Sequence, residues 1–419
     1  MLRLHCGNAL ALTLAGLFNS ISSLKSSGYR RMASRLSWRR MPRRVTLRWL
    51  VRRNRTHTTT PDYSSLPDEV IEQILLKLKC IKSIVTCTSV CKSWYVLIKS
   101  RRFVTMHLSR PHSNAEYFLC SYFRPFCYSI QNYNSKGLEN YYEIDFPETK
   151  RITVHGSGNG LICYTKFDDV CSNIYLWNPT IRKLKILPKS RFYHTKRDAY
   201  GFWYDTISDD CKVAIISCTK VSNVEVYSLS SNLWNIITTS GPSYLTTEFF
   251  DMVHVNGTLY WLTSANRANW SDERKDWKLT SLTLKNGMFR ETLIWPVERS
   301  NSVSFASTLG ACSDSIFVLR VGCDRTSLHV YDESLNELHR NEFEKSGKEV
   351  CRVLGVRSNG IEVLFQKFGT DPPILVFDVG ELKLKEFCPS AKTICRAIPF
   401  VETLVLLDDG DSRSIPKAG

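Results

Sequence analysis

Apolar positions along this chain change their spacing once, near Leu108. Before that point they follow a helix. Val70, Ile71, Ile74, Leu75 and Leu78 fall at offsets 0, 1, 4, 5 and 8; Val90, Trp94, Leu97 and Ile98 fall at 0, 4, 7 and 8. Each series lines one face of an α-helix. Ile84 and Val85 lie between them in a third, short helix. Ser65 with Asp68 fits an S-x-x-D cap, Pro67 suits a first helical turn, and Asp68 and Glu69 sit near the positive end of the dipole. A unit of about 45 residues rarely builds a sufficient core alone. Part of its apolar faces is therefore expected to meet a partner. Spacing by itself also fits a helical hairpin packed on the rest of the chain.

After Leu108 the pattern becomes short β-branched and aromatic runs between Asn-Gly, Asp and Pro turns. One motif recurs: an apolar strand ending in an aromatic, a polar turn, then a second apolar strand. It occurs at 174–187, 224–237, 279–293, 328–343 and 374–387. Aligning Trp177, Tyr227, Leu282, Tyr331 and Phe377 gives intervals of 50, 55, 49 and 46. An extra strand precedes each motif, at 159–164, 211–217, 256–262, 314–319 and 359–365, and a sixth such strand reads at 402–407. A period near ~50 residues with about four strands marks a β-propeller of kelch-like repeat length, because one small sheet cannot bury its own faces. Five or six blades fit. An irregular β-sandwich or open barrel is the competing architecture.

Charge is concentrated in one segment. Residues 1–60 hold 13 Lys and Arg and no acid, so the remainder carries 56 − 13 = 43 basic against 40 acidic residues, a net of +3 out of +16. The basic tail, with Arg30-Arg31, Arg39-Arg40, Arg43-Arg44 and Arg52-Arg53, fits a nuclear signal, an organelle transit peptide, a nucleic-acid-binding arm or an extension with no address. Nonspecific nucleic-acid binding is expected of that tail alone. Ala9 to Phe18 is too short to span a bilayer, and no membrane association is expected. The 15 cysteines form no C-x-x-C and suit reduced thiols of a cytoplasmic or nuclear protein. Cys80, Cys87 and Cys91 read as core packing.

The helical segment resembles one known family, the F-box. The hallmarks are Leu66-Pro67, Ile74-Leu75 with Leu78, Val90-Cys91-Lys92-Ser93-Trp94, Leu97-Ile98 and Phe103. Lys79 and Arg101 stand where plant members often carry proline. The resemblance implies docking to the Skp adaptor, and through it to a cullin, by Leu66, Pro67, Ile74, Leu75, Leu78, Ile84, Val90, Cys91 and Trp94. The later part resembles the F-box-associated domain of plants. Its carriers are 156–163, Leu176-Trp177-Asn178-Pro179-Thr180-Ile181-Arg182-Lys183, Tyr200 to Asp205, Val224 to Ser228 and Asn256 to Leu262. Trp203 replaces a usual glycine and Thr206 a usual proline.

The expected organisation is α+β and multi-domain. A basic extension (1–60) precedes a short helical F-box (61–108), then a connecting segment with first strands (109–149). An all-β, propeller-like repeat domain (150–407) and a tail (408–419) follow. Residues 156–160 do not form a phosphate-binding G-x-x-x-x-G-K-[ST] loop, and no G-x-S-x-G or H-x-x-x-H occurs. Asp168-Asp169 and Asp209-Asp210 read as solvated turn carboxylates, and Trp177-Asn178-Pro179 as a buried tryptophan before a proline turn. No catalytic residue, cofactor or metal site is expected. The resemblance implies a non-catalytic substrate receptor of a Skp–cullin–F-box ubiquitin ligase, with an unknown target protein held by the β domain. The connections at 190–200, 241–250 and 264–277 are the candidate target contacts. Two other expectations stay open: a propeller hydrolase with an appended helical domain, and a Skp-binding protein acting outside a ligase.

Overall fold

The computed structural model describes residues 67–78, 80–109, 115–121, 128–134, 137–143, 152–166, 173–191, 198–217, 223–240, 247–266, 275–295, 306–312, 314–321, 325–344, 351–356, 362–367, 374–378, 383–388, 394–406 and 413–414. Two compact units divide at Ser109.

Among the described residues the first unit holds four helices: α1 (Asp68–Leu76), α2 (Ile81–Cys87), α3 (Lys92–Lys99) and α4 (Arg101–Leu108). The first three match the apolar spacing. Pro67 lies just outside the first turn as the N-cap, with no side-chain cap, and its carbonyl accepts from the Val70 and Ile71 amides at 3.0 and 3.2 Å. Ser65, expected to cap this helix, lies outside the described residues. At α4 the cap is formed: Ser100 Oγ accepts from the Phe103 amide at 3.2 Å. Ile71, Leu75, Leu76, Ile81, Ile84, Ile98 and Phe103 fill the core. Arg102 on α4 reaches the buried Glu72 carboxylate on α1 at 3.0 Å.

The second unit is a ring of six antiparallel sheets. The chain first lays down β1 (Ala115–Ser121), β2 (Tyr128–Asn134) and β3 (Gly137–Glu143). Five complete meanders follow. They are β4 (Ile152–Gly158) to β7 (Lys183–Ile186) through β5 (Leu161–Lys166) and β6 (Ile174–Asn178), then β8 (Ala199–Asp205), β9 (Asp210–Ile216), β10 (Asn223–Ser228) and β11 (Leu233–Thr238). Next come β12 (Thr247–Val255), β13 (Thr258–Asn266), β14 (Lys275–Thr283) and β15 (Met288–Trp295). The last two are β16 (Ala306–Cys312), β17 (Ser315–Val321), β18 (Arg325–Tyr331) and β19 (Glu337–Glu344), and β20 (Cys351–Val356), β21 (Glu362–Lys367), β22 (Ile374–Asp378) and β23 (Lys383–Cys388). Finally β24 (Ile394–Phe400) returns to pair with β1, Glu116 opposite Phe400, and completes the first sheet.

The inner strand of each sheet touches the next: β4 with β8, β8 with β12, β12 with β16, β16 with β20, β20 with β24, and β24 with β4. The fold is a six-bladed propeller whose closing sheet takes one strand from the C-terminal side and three from the N-terminal side. Trp177, Tyr227, Leu282, Tyr331 and Phe377, which set the sequence period, are buried at the third strand of five blades. The apolar faces meet between blades. Tyr227, Trp234, Tyr200 and Phe202 share one cluster with Leu161 and Leu176; Trp203, Trp261 and Leu282 share the next. At the β20–β24 step the backbones approach so closely that a Cβ on Gly355 would meet the Ala397 carbonyl.

From sequence, 402–407 reads as a sixth strand. The structure puts that strand at β24 instead, and 401–406 crosses beside β4–β7 without strand pairing. Its polar atoms are taken by side chains. Asn178 Nδ2 donates to the carbonyls of Thr403 and Val405 at 3.1 and 2.8 Å, while Asn178 Oδ1 accepts from the Thr180 amide at 3.0 Å. Thr403 Oγ1 donates to the Asn159 carbonyl at 2.9 Å. Gly160, at φ +72°, leaves no room for a side chain against Thr403. Leu406 enters the cluster of Leu161 and Tyr227, and β25 (Arg413–Ser414) pairs with β7 as a fifth strand. Asn178, Thr403 and β25 thus form a strap that follows the ring closure.

Replacing Asn178 by Ala leaves buried carbonyls without donors, at about 1–3 kcal/mol for each. Asn178→Ala is expected to lower stability by ~2 kcal/mol or more in chemical denaturation, and Thr403→Val by less.

Candidate functional site

The four helices divide the nine residues expected at the Skp interface into two sets. Leu75 (1% exposed), Leu78 and Ile84 are buried within the helical unit itself. Pro67, Val90 (58% exposed) and Cys91 are open to solvent, and Ile74 and Trp94 are half-buried. Leu66 lies outside the described residues. The division has a simple cause. Helical periodicity marks an apolar stripe, and a stripe that closes on neighbouring helices has the same spacing as one that meets a partner.

Two residues were missed. Val96 (67% exposed) and Tyr95 stand outward on α3, off the stripe of Val90, Trp94, Leu97 and Ile98. An apolar residue out of phase with the buried stripe was the available signal. Tyr95 is held in place by Lys99, whose Nζ donates to the Tyr95 hydroxyl at 2.6 Å. Val90, Tyr95 and Val96 are thus exposed side chains at the start and on the outer side of α3, with Trp94 half-buried on the stripe. The cysteines nearby do not fill the core as expected: Cys80 and Cys91 are exposed and Cys87 is half-buried.

In the ring, each sheet is a meander, so alternate connections leave opposite ends of its strands. The turns at 159–160, 179–182, 206–209, 229–232, 256–257, 284–287 and 332–336 leave one end. Asn159-Gly160 and Asn256-Gly257 adopt positive φ, as hairpin turns of this kind require; Asn359-Gly360 lies outside the described residues. The turn carboxylates are partly internal. Asp210 is buried and accepts from the Ser230 amide at 2.9 Å and from the hydroxyls of Ser228 and Ser230, a correction to its expected solvated state. Its neighbour Asp209 accepts from the Tyr204 hydroxyl. Asp168-Asp169 lies outside the described residues.

The connections at 187–198, 239–246 and 267–274 leave the other end of the strands. They contain most of the three expected target contacts. Residues 192–197, 241–246 and 267–274 lie outside the described residues; Ala199–Tyr200, 247–250, 264–266 and 275–277 are strand termini flanking them.

Two histidines and two cysteines of the ring are taken up in packing. His155 Nε2 lies 2.9 Å from Thr165 Oγ1, and its ring lies 4.6 Å from that of Tyr200. Burial, with the charge of Arg396, pushes His155 down to about 3. His254 stacks on Trp203 at 4.8 Å, and burial pushes it down to about 4. Cys163 and Cys211 are buried free thiols, raised by burial. Among the described residues, no three His, Cys, Asp or Glu side chains are grouped to hold a metal ion, and no helix is long and apolar enough to cross a membrane.

Two family models match the chain. Residues 63–106 match an F-box-like model, and residues 131–331 match the F-box associated beta propeller domain. An F-box/kelch-repeat protein of Arabidopsis thaliana is 28% identical over 226 residues, 49% of this chain and 61% of the relative. An Arabidopsis F-box protein is 25% identical over 241 residues, 55% of this chain and 61% of the relative. The chain thus spans about three fifths of the length of these relatives. A solved post-proline cleaving enzyme from Rickettsia typhi is 14% identical with a TM-score of 0.36, covering 68% of this chain and 45% of the enzyme. Likeness at that level transfers nothing to this chain.

Burial separates the two sets of helical residues by their effect on folding. Leu75→Ala is expected to cost about 2–5 kcal/mol, whereas Val90→Asp should stay within ~0.5 kcal/mol of the parent; urea denaturation reads both. The two histidines make the ring acid-labile. Their folded pKa values, about 3 and about 4, lie below the unfolded value near ~6.5, so the unfolded chain takes up protons first. Stability is full above pH ~6.5 and falls as pH drops toward the folded values. The melting temperature should decrease between pH 7 and 5, and the double variant His155→Gln, His254→Gln should flatten that decrease.

Proposed function

This chain is an F-box protein with an F-box-associated β-propeller domain, and from that premise we propose that it is the substrate-recognition subunit of a Skp–cullin–F-box ubiquitin ligase. The observation that carries the proposal is the set of apolar side chains left uncovered at α3. Val90, Trp94 and Val96 are exposed or half-buried on a unit whose core is already filled by Leu75, Ile81, Ile84 and Phe103. An apolar surface left outside a complete core has no folding role, and it suits a protein partner. Pro67, Ile74, Val90, Cys91 and Trp94, joined by Tyr95 and Val96, are the proposed Skp contacts. Leu75, Leu78 and Ile84 act by holding the helices that present them.

The propeller is the proposed target holder, at the end opposite its tight turns. In sequence, Phe192, Tyr193, Tyr244 and Trp270 fall between strand termini that lie at that end. Aromatic and arginine side chains dominate binding energy at protein interfaces, and Arg191, Arg197, Arg267 and Arg274 fall in the same connections. The opposite end is made of Asn-Gly, Ser and Asp turns whose side chains hold one another, as Tyr227 holds Asn232 at 2.8 Å. On this proposal the chain does no covalent chemistry. It raises the effective concentration of a target beside a ubiquitin-charged enzyme.

The full chain should co-purify with Skp, and Val90→Asp with Trp94→Ala should weaken that binding by roughly tenfold or more while leaving the melting temperature near the parent's. In a reconstituted ligase the same double variant should stop ubiquitin transfer to a target that the propeller still captures. Undiminished transfer would remove the F-box surface from the mechanism. Retained Skp binding with no transfer in any assembled complex would favour a Skp-bound protein acting outside a ligase.

A further inference from the structure

The outermost strands of the six blades differ in charge. Glu139 and Glu143 lie on β3, Lys183 and Lys185 on β7, and Arg290 and Glu291 on β15. β19 and β23 are also charged, through Glu337 and Arg340 on the first and Lys383, Lys385 and Glu386 on the second. β11 carries no charge, and none occurs from Ser228 to Thr246. Charged side chains on edge strands are a common protection against pairing with another chain. β11 lacks that protection and exposes Leu233 (63%) and Ile236 (39%).

The strand is nonetheless firmly built. It pairs with β10 along its whole length, from Asn223 opposite Thr238 to Ser228 opposite Leu233. Trp234 Nε1 donates to the Pro188 carbonyl at 2.8 Å. Beyond its end, the Ser240 amide donates to the Gly287 carbonyl at 3.1 Å, and the Phe289 amide to Ser240 Oγ at 3.2 Å. Among the described residues no strand pairs with its outer edge. The equivalent edge of the preceding blade, β7, is filled by β25 of the same chain.

We propose that the protein self-associates through β11, which pairs antiparallel with β11 of a second copy and joins two blades into one eight-stranded sheet. A two-fold axis sets the strand against itself. A charge-free strand with charge-free flanks meets no like charge in such pairing, and each blade edge other than β11 would bring charges into the contact. Leu233 and Ile236 gain burial, and the open backbone groups of the edge gain partners. A contact of some five residues from each copy is smaller than a standard interface, so the dimer is weak and depends on concentration.

The test is the oligomeric state of the full chain, bound to Skp if needed for solubility, by light scattering and sedimentation from about 1 to about 100 µM, a range that reveals a Kd near ~10 µM. The parent is expected to pass from monomer to dimer. Asn235→Lys at the exposed centre of β11 should hold it monomeric with unchanged melting. Leu338→Lys on the already charged β19 should leave the dimer intact. Leu233→Lys gives the same reading if Asn235→Lys lowers the melting temperature. A parent that is monomeric at the highest concentration overturns the proposal. So does a dimer that survives lysine on β11, or one that lysine on β19 disrupts equally.

Discussion

The ring depends on bringing two distant parts of the chain into one sheet. None of the blades can bury both its faces alone; each relies on its neighbours, so the last face is covered only when the ring closes. β24 closes it by entering beside β1, with Phe118 opposite Ile398. Asn178 and Asn159 then hold the chain just beyond β24, through the backbone and hydroxyl of Thr403. The carbonyls of Thr403 and Val405 take donors from Asn178, so the closure is specified by hydrogen bonds as well as by apolar packing.

Much of the ring was legible because its repeat is local. Trp177, Tyr227, Leu282, Tyr331 and Phe377 mark the same strand of successive blades, and the spacing follows from the length of one meander. The closing sheet was not legible in the same way. Its four strands come from opposite ends of the domain, and no local pattern announces that β24 belongs with β1. Glu402 to Leu407 looks like a strand by alternation, yet its partners are the Asn178 side chain and the Asn159 carbonyl, more than two hundred residues earlier. The helical unit failed differently. Its apolar spacing was right, but spacing does not distinguish Leu75, which is buried, from Val90, which is exposed. Only the packing of the helices on one another separates them.

The two units put their polar and apolar side chains to opposite uses. The helical unit completes its core with aliphatic residues and Phe103, leaving the outer side of α3 apolar. The propeller uses its polar turn residues in internal bonds at one end, through Asp210, Asn232 and Asp332. A surface whose hydrogen bonds are already made internally has little left to offer a partner.

The position of β24 also orders events during synthesis. The helical unit and β1–β3 leave the ribosome early, but their sheet lacks its inner strand until Ile394 to Phe400 has been made. Translation at ~5–20 residues per second puts roughly 10–50 s between the end of β3 and that strand. Throughout this interval β1 presents an unfilled edge while later blades are being added beside it. The nascent chain must therefore keep that edge from pairing with other strands, and the propeller becomes a closed ring only once β24 has been made.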